Sequence, residues 1–267
     1  MKSNENFQKH QYSRELPLMI DTTSSENIYV SPHWHGSIEI LYFESGQWAV
    51  ICDGNYFEVN GGDIFIVNSG QIHALERLTA EEQSFFCLQI DSQFPGAARA
   101  FENHIKDVPE MHNYFRNMLE EYKNKEPGFE MAVIGNACTL LSHIQRNYPV
   151  KEHIKDIYAD SRREKMGRIM EYIAANLTER ITTKELSKEF FVTESYMCQF
   201  FKSQTGQSVT EYINRLRIEK AMSFLKNTEM SITEIAMHTG FTDSCYFTRV
   251  FKKYTGLSPR EYRKNMD

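Results

Sequence analysis

FKKYTGLSPREY at 251–262 repeats, fifty positions on, the segment FKSQTGQSVTEY at 201–212. Phe201/Phe251, Lys202/Lys252, Thr205/Thr255, Gly206/Gly256, Ser208/Ser258, Glu211/Glu261 and Tyr212/Tyr262 are identical, and Tyr196/Tyr246 extends the match upstream. A solenoid needs at least about three units to bury its faces, so two copies read as a duplicated functional unit.

Each copy spells a short capped helix, a tight turn and a second capped helix: TTKELSKEF then TESYMCQFFKSQ, and SITEIAMH then TDSCYFTRVFKKY. Thr182-x-x-Glu185, Ser208-x-x-Glu211, Ser231-x-x-Glu234 and Ser258-x-x-Glu261 fit the capping box, in which hydroxyl and carboxylate satisfy free backbone donors reciprocally. Pro259 stands at a first helical position, where no N–H is needed. Gly206, Gly256 and Gly240 suit the left-handed residue that ends a helix. Ser187 and Ala236 are small enough to let the second helix of each copy come close. Met197, Phe200 and Phe201, and likewise Phe247, Val250 and Phe251, make a buried stripe. The opposite face offers Ser195, Cys198, Gln199 and Lys202 in the first copy, and Ser244, Cys245, Thr248, Arg249 and Lys252 in the second. Cys198 and Cys245 also read as packing residues or bystander surface thiols. This is the helix-turn-helix plan, one helix bracing while the other offers polar side chains to the major groove. Units at about 182–203 and 231–253 follow, with a long helix over 209–226 between them and about seven helices from 168 onward.

Charge separates this part from the rest. Residues 165–267 hold 16 Lys+Arg against 12 Asp+Glu, a net of +4, and residues 1–164 hold 14 against 24, a net of −10. An acidic first part and a basic last part imply different partners. No apolar run of about eighteen residues predicts a membrane span, and the polar first twenty residues lack a signal-peptide core. The five cysteines, at 52, 87, 138, 198 and 245, contain no C-x-x-C. That usage predicts reduced thiols and a cytoplasmic location.

Residues 28–90 read as strands. SIEILYFES, QWAVICDG, NYFEVNGG, DIFIVNSG and SFFCLQID are β-branched and aromatic runs parted by Ser-Gly, Asp-Gly and Asn-Gly-Gly turn signals, which predicts an antiparallel sandwich or small barrel. From 97 to 165, MHNYFRNMLEEYKNK and FEMAVIGNACTLLSHIQRN predict two amphipathic helices broken at Pro127-Gly128, and the charged 151–165 reads as a linker or a solvated helix. The predicted class is α+β in two domains, with boundaries at 1–100 (barrel), 101–164 (helical dimerisation and linker segment) and 165–267.

PHWHGSIEILYFESG contains His33, His35 and Glu39, which share parity on an extended strand and so point to one face. GGDIFIVNSGQIHAL supplies His73 from a strand brought alongside. Three imidazoles and a carboxylate can hold a divalent ion; the same four, with Trp34, can instead line an effector pocket. Trp48, Tyr42 and Phe57 can stack on a sugar-like ligand or fill the core. His10, His104, His112, His143, His153 and His238 show no ligand spacing and read as ordinary surface or helix histidines.

SITEIAMHTGFTDSCYFTRVFKKYTGLSPREYR resembles the C-terminal signature of the AraC/XylS transcription regulators, and the resemblance runs back to about Arg168. It implies two reading heads per chain, with Ser195, Cys198 and Gln199 facing bases in the first and Ser244, Cys245 and Arg249 in the second, and Lys252 and Lys253 near phosphates. Ser187 departs from the usual alanine, and Val209 stands where the second copy has Pro259. The two histidine motifs resemble those of the cupin barrel, in which His33, His35, Glu39 and His73 take the metal-ligand positions; Asn68 and Arg77 depart from that pattern. The implied partners are double-stranded DNA, a small-molecule effector such as a carbohydrate, a second copy paired through the helices near 109–146, and RNA polymerase for an activator. Two rivals stand beside this reading: a metal-dependent cupin enzyme, isomerase or dioxygenase, with an accessory helical domain, and an interaction module with degenerate helix pairs.

Overall fold

A computed structural model describes residues 16–24, 29–79, 83–91, 93–97, 100–148 and 157–265. The chain divides between Glu164 and Lys165 into two units. The first holds strands β1 (Leu18–Ser24), β2 (Tyr29–His33), β3 (Ile38–Phe43), β4 (Gln47–Cys52) and β5 (Asn55–Asn60). It continues with β6 (Ile64–Val67), β7 (His73–Arg77), β8 (Ser84–Ile90) and β9 (His104–Ile105), then helices α1 (His112–Asn124) and α2 (Phe129–Asn147). The strands form two antiparallel sheets, ordered β1-β8-β3-β6-β9 and β2-β7-β4-β5. The predicted barrel is therefore a two-sheet jelly roll and not one closed cylinder, since β3 pairs with β6 and β8 and never with β2.

Strand β3 is buried along its whole length. Its side chains alternate between two environments. Ile38, Ile40 and Tyr42 pack with Ile64, Leu88, Phe115, Val133 and Leu140 under α1 and α2. Leu41 and Phe43 face the other way, onto Trp48, Val50 and Leu75 of the four-stranded sheet. Strand β1 was outside the predicted strand region, yet it pairs with β8 over its full length, from Leu18↔Ile90 to Ser24↔Ser84. Lys125, at φ 53, ends α1, and Gly128, at φ 92, opens α2. Of the predicted 151–165 linker, residues 151–156 lie outside the described residues and the remainder is part of α3 (Ile157–Ala175).

The second unit continues with α4 (Thr183–Glu189), α5 (Glu194–Thr205), α6 (Val209–Asn227), α7 (Ile232–His238), α8 (Ser244–Thr255) and α9 (Pro259–Lys264). All four predicted capping boxes are formed reciprocally, each cap supplying about 1 kcal/mol. Gly206 and Gly256 end α5 and α8 in left-handed backbone. Ser187 tolerates its buried place by donating its hydroxyl to the Lys184 carbonyl at 2.9 Å. Arg217 on α6 ties the unit together: Nε donates to Leu177 O at 3.0 Å and Nη2 to Glu179 O at 2.7 Å.

The two helix pairs differ at the turn. Both close on one bond, Val192 N to Ser187 O and Phe241 N to Ala236 O, each at 2.9 Å. The left-handed residue just before it is Gly240 (φ 87) in the second pair and Phe191 (φ 53) in the first. A Cβ on Gly240 would lie 2.6 Å from Leu177 O and 2.9 Å from Arg217 Nε, whereas Phe191 is 95% exposed. Glycine is thus required at one site and absent from the other, where an aromatic side chain holds a costly conformation. Gly240→Ala is expected to destabilise the second unit by at least about 1–2 kcal/mol, and Phe191→Gly to stabilise it by up to about 1 kcal/mol. Urea unfolding of both variants checks this; a Phe191→Gly protein weaker than the parent would show that the ring contributes to folding.

Candidate DNA interface and ligand cavity

On α5, Ser195, Cys198, Gln199 and Lys202 are exposed, and on α8 so are Ser244, Cys245, Arg249, Lys252 and Lys253. Thr248 is half-buried and spends its hydroxyl on the Ser244 carbonyl at 2.9 Å. Met197, Phe200, Phe201, Phe247, Val250 and Phe251 are all buried on the opposite sides, so each helix separates an anchoring face from a polar one. The Arg249 guanidinium lies 5.3 Å from the Tyr246 ring centre. Tyr246 is itself held by Asn214 Nδ2 at 3.0 Å. That stack pre-orients a fork able to meet a base edge or phosphate. The equivalent Tyr196 stacks on Phe200 at 5.5 Å under Lys165 at 4.8 Å.

In the first unit, His33, His35, Glu39 and His73 do converge, all four buried, with ligand atoms within 4.8 Å of one another. Shared parity is not the reason. His33 ends β2 in one sheet and Glu39 lies on β3 in the other, with a bend at Gly36 and Ser37 between them. The meeting is made by facing sheets, and β2 pairs His33 directly with His73.

Each imidazole presents Nδ1 to a backbone carbonyl: His33 to Ser31 at 2.9 Å, His35 to Ser37 at 3.1 Å and His73 to Gln71 at 3.1 Å. A carbonyl only accepts, so Nδ1 carries the proton in His33 and His73 and their Nε2 is the face turned inward; His35 Nδ1 also meets the Ser37 hydroxyl at 2.9 Å, which can donate or accept. His73 Nε2 lies 2.9 Å from Glu39 Oε2, and His35 Nε2 lies 3.5 Å from the same oxygen. Two lone pairs at 2.9 Å repel unless a positive centre stands between them, a proton on Nε2 or a metal ion. Backbone carbonyls holding the far nitrogens are the arrangement that orients metal-binding histidines. Burial, with the neighbouring His73, pushes the His33 pKa down to about 3, leaving it a neutral donor. Burial alone would raise the Glu39 carboxyl, but bonds from His35 and His73 hold it well below the usual carboxylate range. The donor set therefore fits a divalent cation.

Beside these residues lies a cavity of about 300 Å³. His33, Glu39 and His73 form one wall with Asp21 and Gln89, and Met19, Val30, Leu41, Leu75 and Phe85 form the apolar remainder. Sequence reasoning missed Cys87 and Gln89, whose Sγ and Nε2 lie 3.0 and 3.3 Å from Glu39 Oε1. Burial, then the charge of Glu39, pushes the Cys87 thiol up. The alternation Phe85, Cys87, Gln89 carried the signal, but only the β3–β8 register, Glu39↔Gln89, places it here. Trp34, between two buried histidines, does not line the cavity. Trp48 and Tyr42 are core: the first packs on Phe43 and Phe85, the second stacks on Phe115 at 5.3 Å. Phe57 packs on Phe65. His104 is no ordinary surface residue, its Nε2 bonding buried Asp63 at 2.9 Å. His10 and His153 lie outside the described residues.

Family models match both units. An AraC-like ligand binding domain covers residues 20–137 and a helix-turn-helix domain covers 186–265. The chain belongs to the AraC/XylS family of transcription regulators. One similar protein is YdeC of Bacillus subtilis (strain 168), an uncharacterized HTH-type transcriptional regulator. It is 22% identical over 276 residues, with 94% of this chain and 92% of YdeC covered. An uncharacterized HTH-type regulator of Staphylococcus aureus (strain COL) is 24% identical over 85% of this chain, which spans only 31% of that longer protein. ToxT of Vibrio cholerae shares the fold, with a TM-score of 0.51 at 18% identity, covering 93% of this chain and 98% of ToxT. A second ToxT structure, with unsaturated fatty acid bound, also gives 0.51, at 15% identity over 95% of this chain and 96% of ToxT. The protein is thus a DNA-binding regulator with a ligand-binding domain, and the enzyme reading is set aside. Among the described residues, no helix is long and apolar enough to cross a membrane.

Proposed function

We propose that this regulator works in the cytoplasm as a homodimer, reads DNA with α5 and α8, and responds to a small polyhydroxylated effector such as a carbohydrate. The single observation that carries the sensing half is the convergence of His33, His35 and His73 with Glu39 beside a cavity. His33, His35, Glu39 and His73 hold a divalent ion, and that ion supplies a Lewis-acidic position for ligand oxygens. Asp21, Glu39 and Gln89 accept hydroxyl hydrogens from the same ligand. No Lys or Arg is among the described residues lining the cavity, so a fatty-acid carboxylate of the kind ToxT holds finds no cationic side chain. The α1–α2 layer is the surface proposed to pair subunits, and contact with RNA polymerase follows for an activator.

For the reading half, the Arg249 fork meets guanine and Gln199 meets adenine. Lys202, Lys252 and Lys253 grip phosphates, while Ser195, Cys198, Ser244, Cys245 and Thr248 fill the groove-facing sides.

Metal is expected to co-purify near about one equivalent per chain and to vanish from a His33→Ala/His35→Ala variant that still folds. Elemental analysis finding none after supplementation returns the four residues to pocket lining. On a DNA site selected from random sequence, Arg249→Ala is expected to lose about 1–3 kcal/mol of discrimination at one base pair. Lys252→Ala weakens every sequence alike and flattens the salt slope by about one unit. Titrating both variants against the site and its point mutants at several salt concentrations decides between base reading and phosphate grip; uniform weakening by Arg249→Ala moves it to the phosphate class.

A further inference from the structure

A chain of hydrogen bonds leads from the histidine site to a charged pair that joins the β4–β5 turn to α3. His73 Nδ1 bonds the carbonyl of Gln71. The Gln71 side chain is buried and fixed at both ends. Its Oε1 accepts from Asn68 N at 2.8 Å and Asn103 Nδ2 at 2.6 Å, and its Nε2 donates to Asp53 Oδ2 at 3.1 Å. Ile72, the residue between, donates its N–H to Asp53 Oδ1 at 3.0 Å and accepts the Asp53 N–H at 2.8 Å. Strand register adds a further link, because Cys52, next to Asp53, pairs directly with His73. Asp53 stands in left-handed backbone, φ 47, at the turn between β4 and β5.

The Asp53 carboxylate is completed by Arg163, whose Nε and Nη2 lie 2.9 and 2.7 Å from Oδ2. Arg163 belongs to the first unit and sits on α3. The same helix runs on through Met166, Ile169, Met170 and Ile173, buried residues of the second unit. So the two residues that lead into His73 are also the ones that aim the carboxylate gripping this helix. A displacement of the His73 ring toward a ligand moves the backbone of Gln71 and Ile72, and with it the geometry offered to Arg163.

We infer that the Asp53–Arg163 pair is a latch through which occupancy of the histidine site sets the hold on α3 and thereby DNA affinity. The inference rests on the reading of that site as a ligand site. It has the form coupling requires, a discrete contact that one site biases and the other feels.

The test uses the full chain, zinc as the probe and a DNA site selected from random sequence. Zinc loading is expected to change the DNA affinity of the parent about 5- to 150-fold, the ordinary range of coupling between sites. Asp53→Asn and Arg163→Gln take up zinc as the parent does, by calorimetry, yet bind DNA equally with and without it. The exchange Asp53→Arg/Arg163→Asp restores part of the response. Single variants that keep the parental response overturn the latch, and so does a parent that loads zinc with no change in DNA affinity. A parent that takes up no zinc sinks the metal reading alone. The latch is then judged on the metal-free chain, where Asp53→Asn, Arg163→Gln and the two combined must shift DNA affinity by one common factor. Unchanged affinity in all three overturns it.

Discussion

Burying a carboxylate is the most demanding act in the first unit. Glu39 is 6% exposed, and an unpaired charge so placed costs many times what a buried aliphatic side chain returns. Four neighbours offset that cost: His35 and His73 on one oxygen, Cys87 and Gln89 on the other. Meeting both sets requires β3 to be central in its sheet, with β8 on one side and the histidine strands opposite. Central placement in turn buries both faces of β3, and the outward face must then be covered. The α1–α2 layer does so through Phe115, Val133 and Leu140. Sheet order and helical cover thus follow from one acidic side chain.

The second unit rests on local signals, and for that reason it was legible in the sequence. A capping box is written within four consecutive residues and needs no knowledge of distant pairing. The same holds for Gly206 and Gly256 and for the buried stripes of α5 and α8. Polar side chains opposite those stripes were correctly placed on the surface, apart from Thr248, whose hydroxyl turns back on its own helix.

The first unit was legible in part. Its strand runs and turns were plain, and the four residues that converge were picked out. Parity along one strand, however, was the wrong reason for their meeting. Convergence across sheets depends on the bend at Gly36 and Ser37 and on register, neither written in any short motif. The same dependence hid Cys87, Gln89 and Asp21, which acquire meaning only when β8 lies beside β3 and β1 beside β8. Strand β1, LMIDTTS, carries too weak a pattern to stand without that neighbour.

The unequal turns of the two helix pairs bear on how the DNA site is laid out. From Thr182 to Thr193 the first pair is one residue shorter between helix caps than the second, from Ser231 to Asp243. Combined with Gln199 in one head and the ring-braced Arg249 in the other, this makes the heads chemically distinct. If Gln199 and Arg249 read bases as proposed, a monomer's target has a front and a back, with an adenine-favouring element at one end and a guanine-favouring element at the other. Reversing such a site on the duplex turns the bound protein around, so a single chain can mark direction along DNA without help from symmetry.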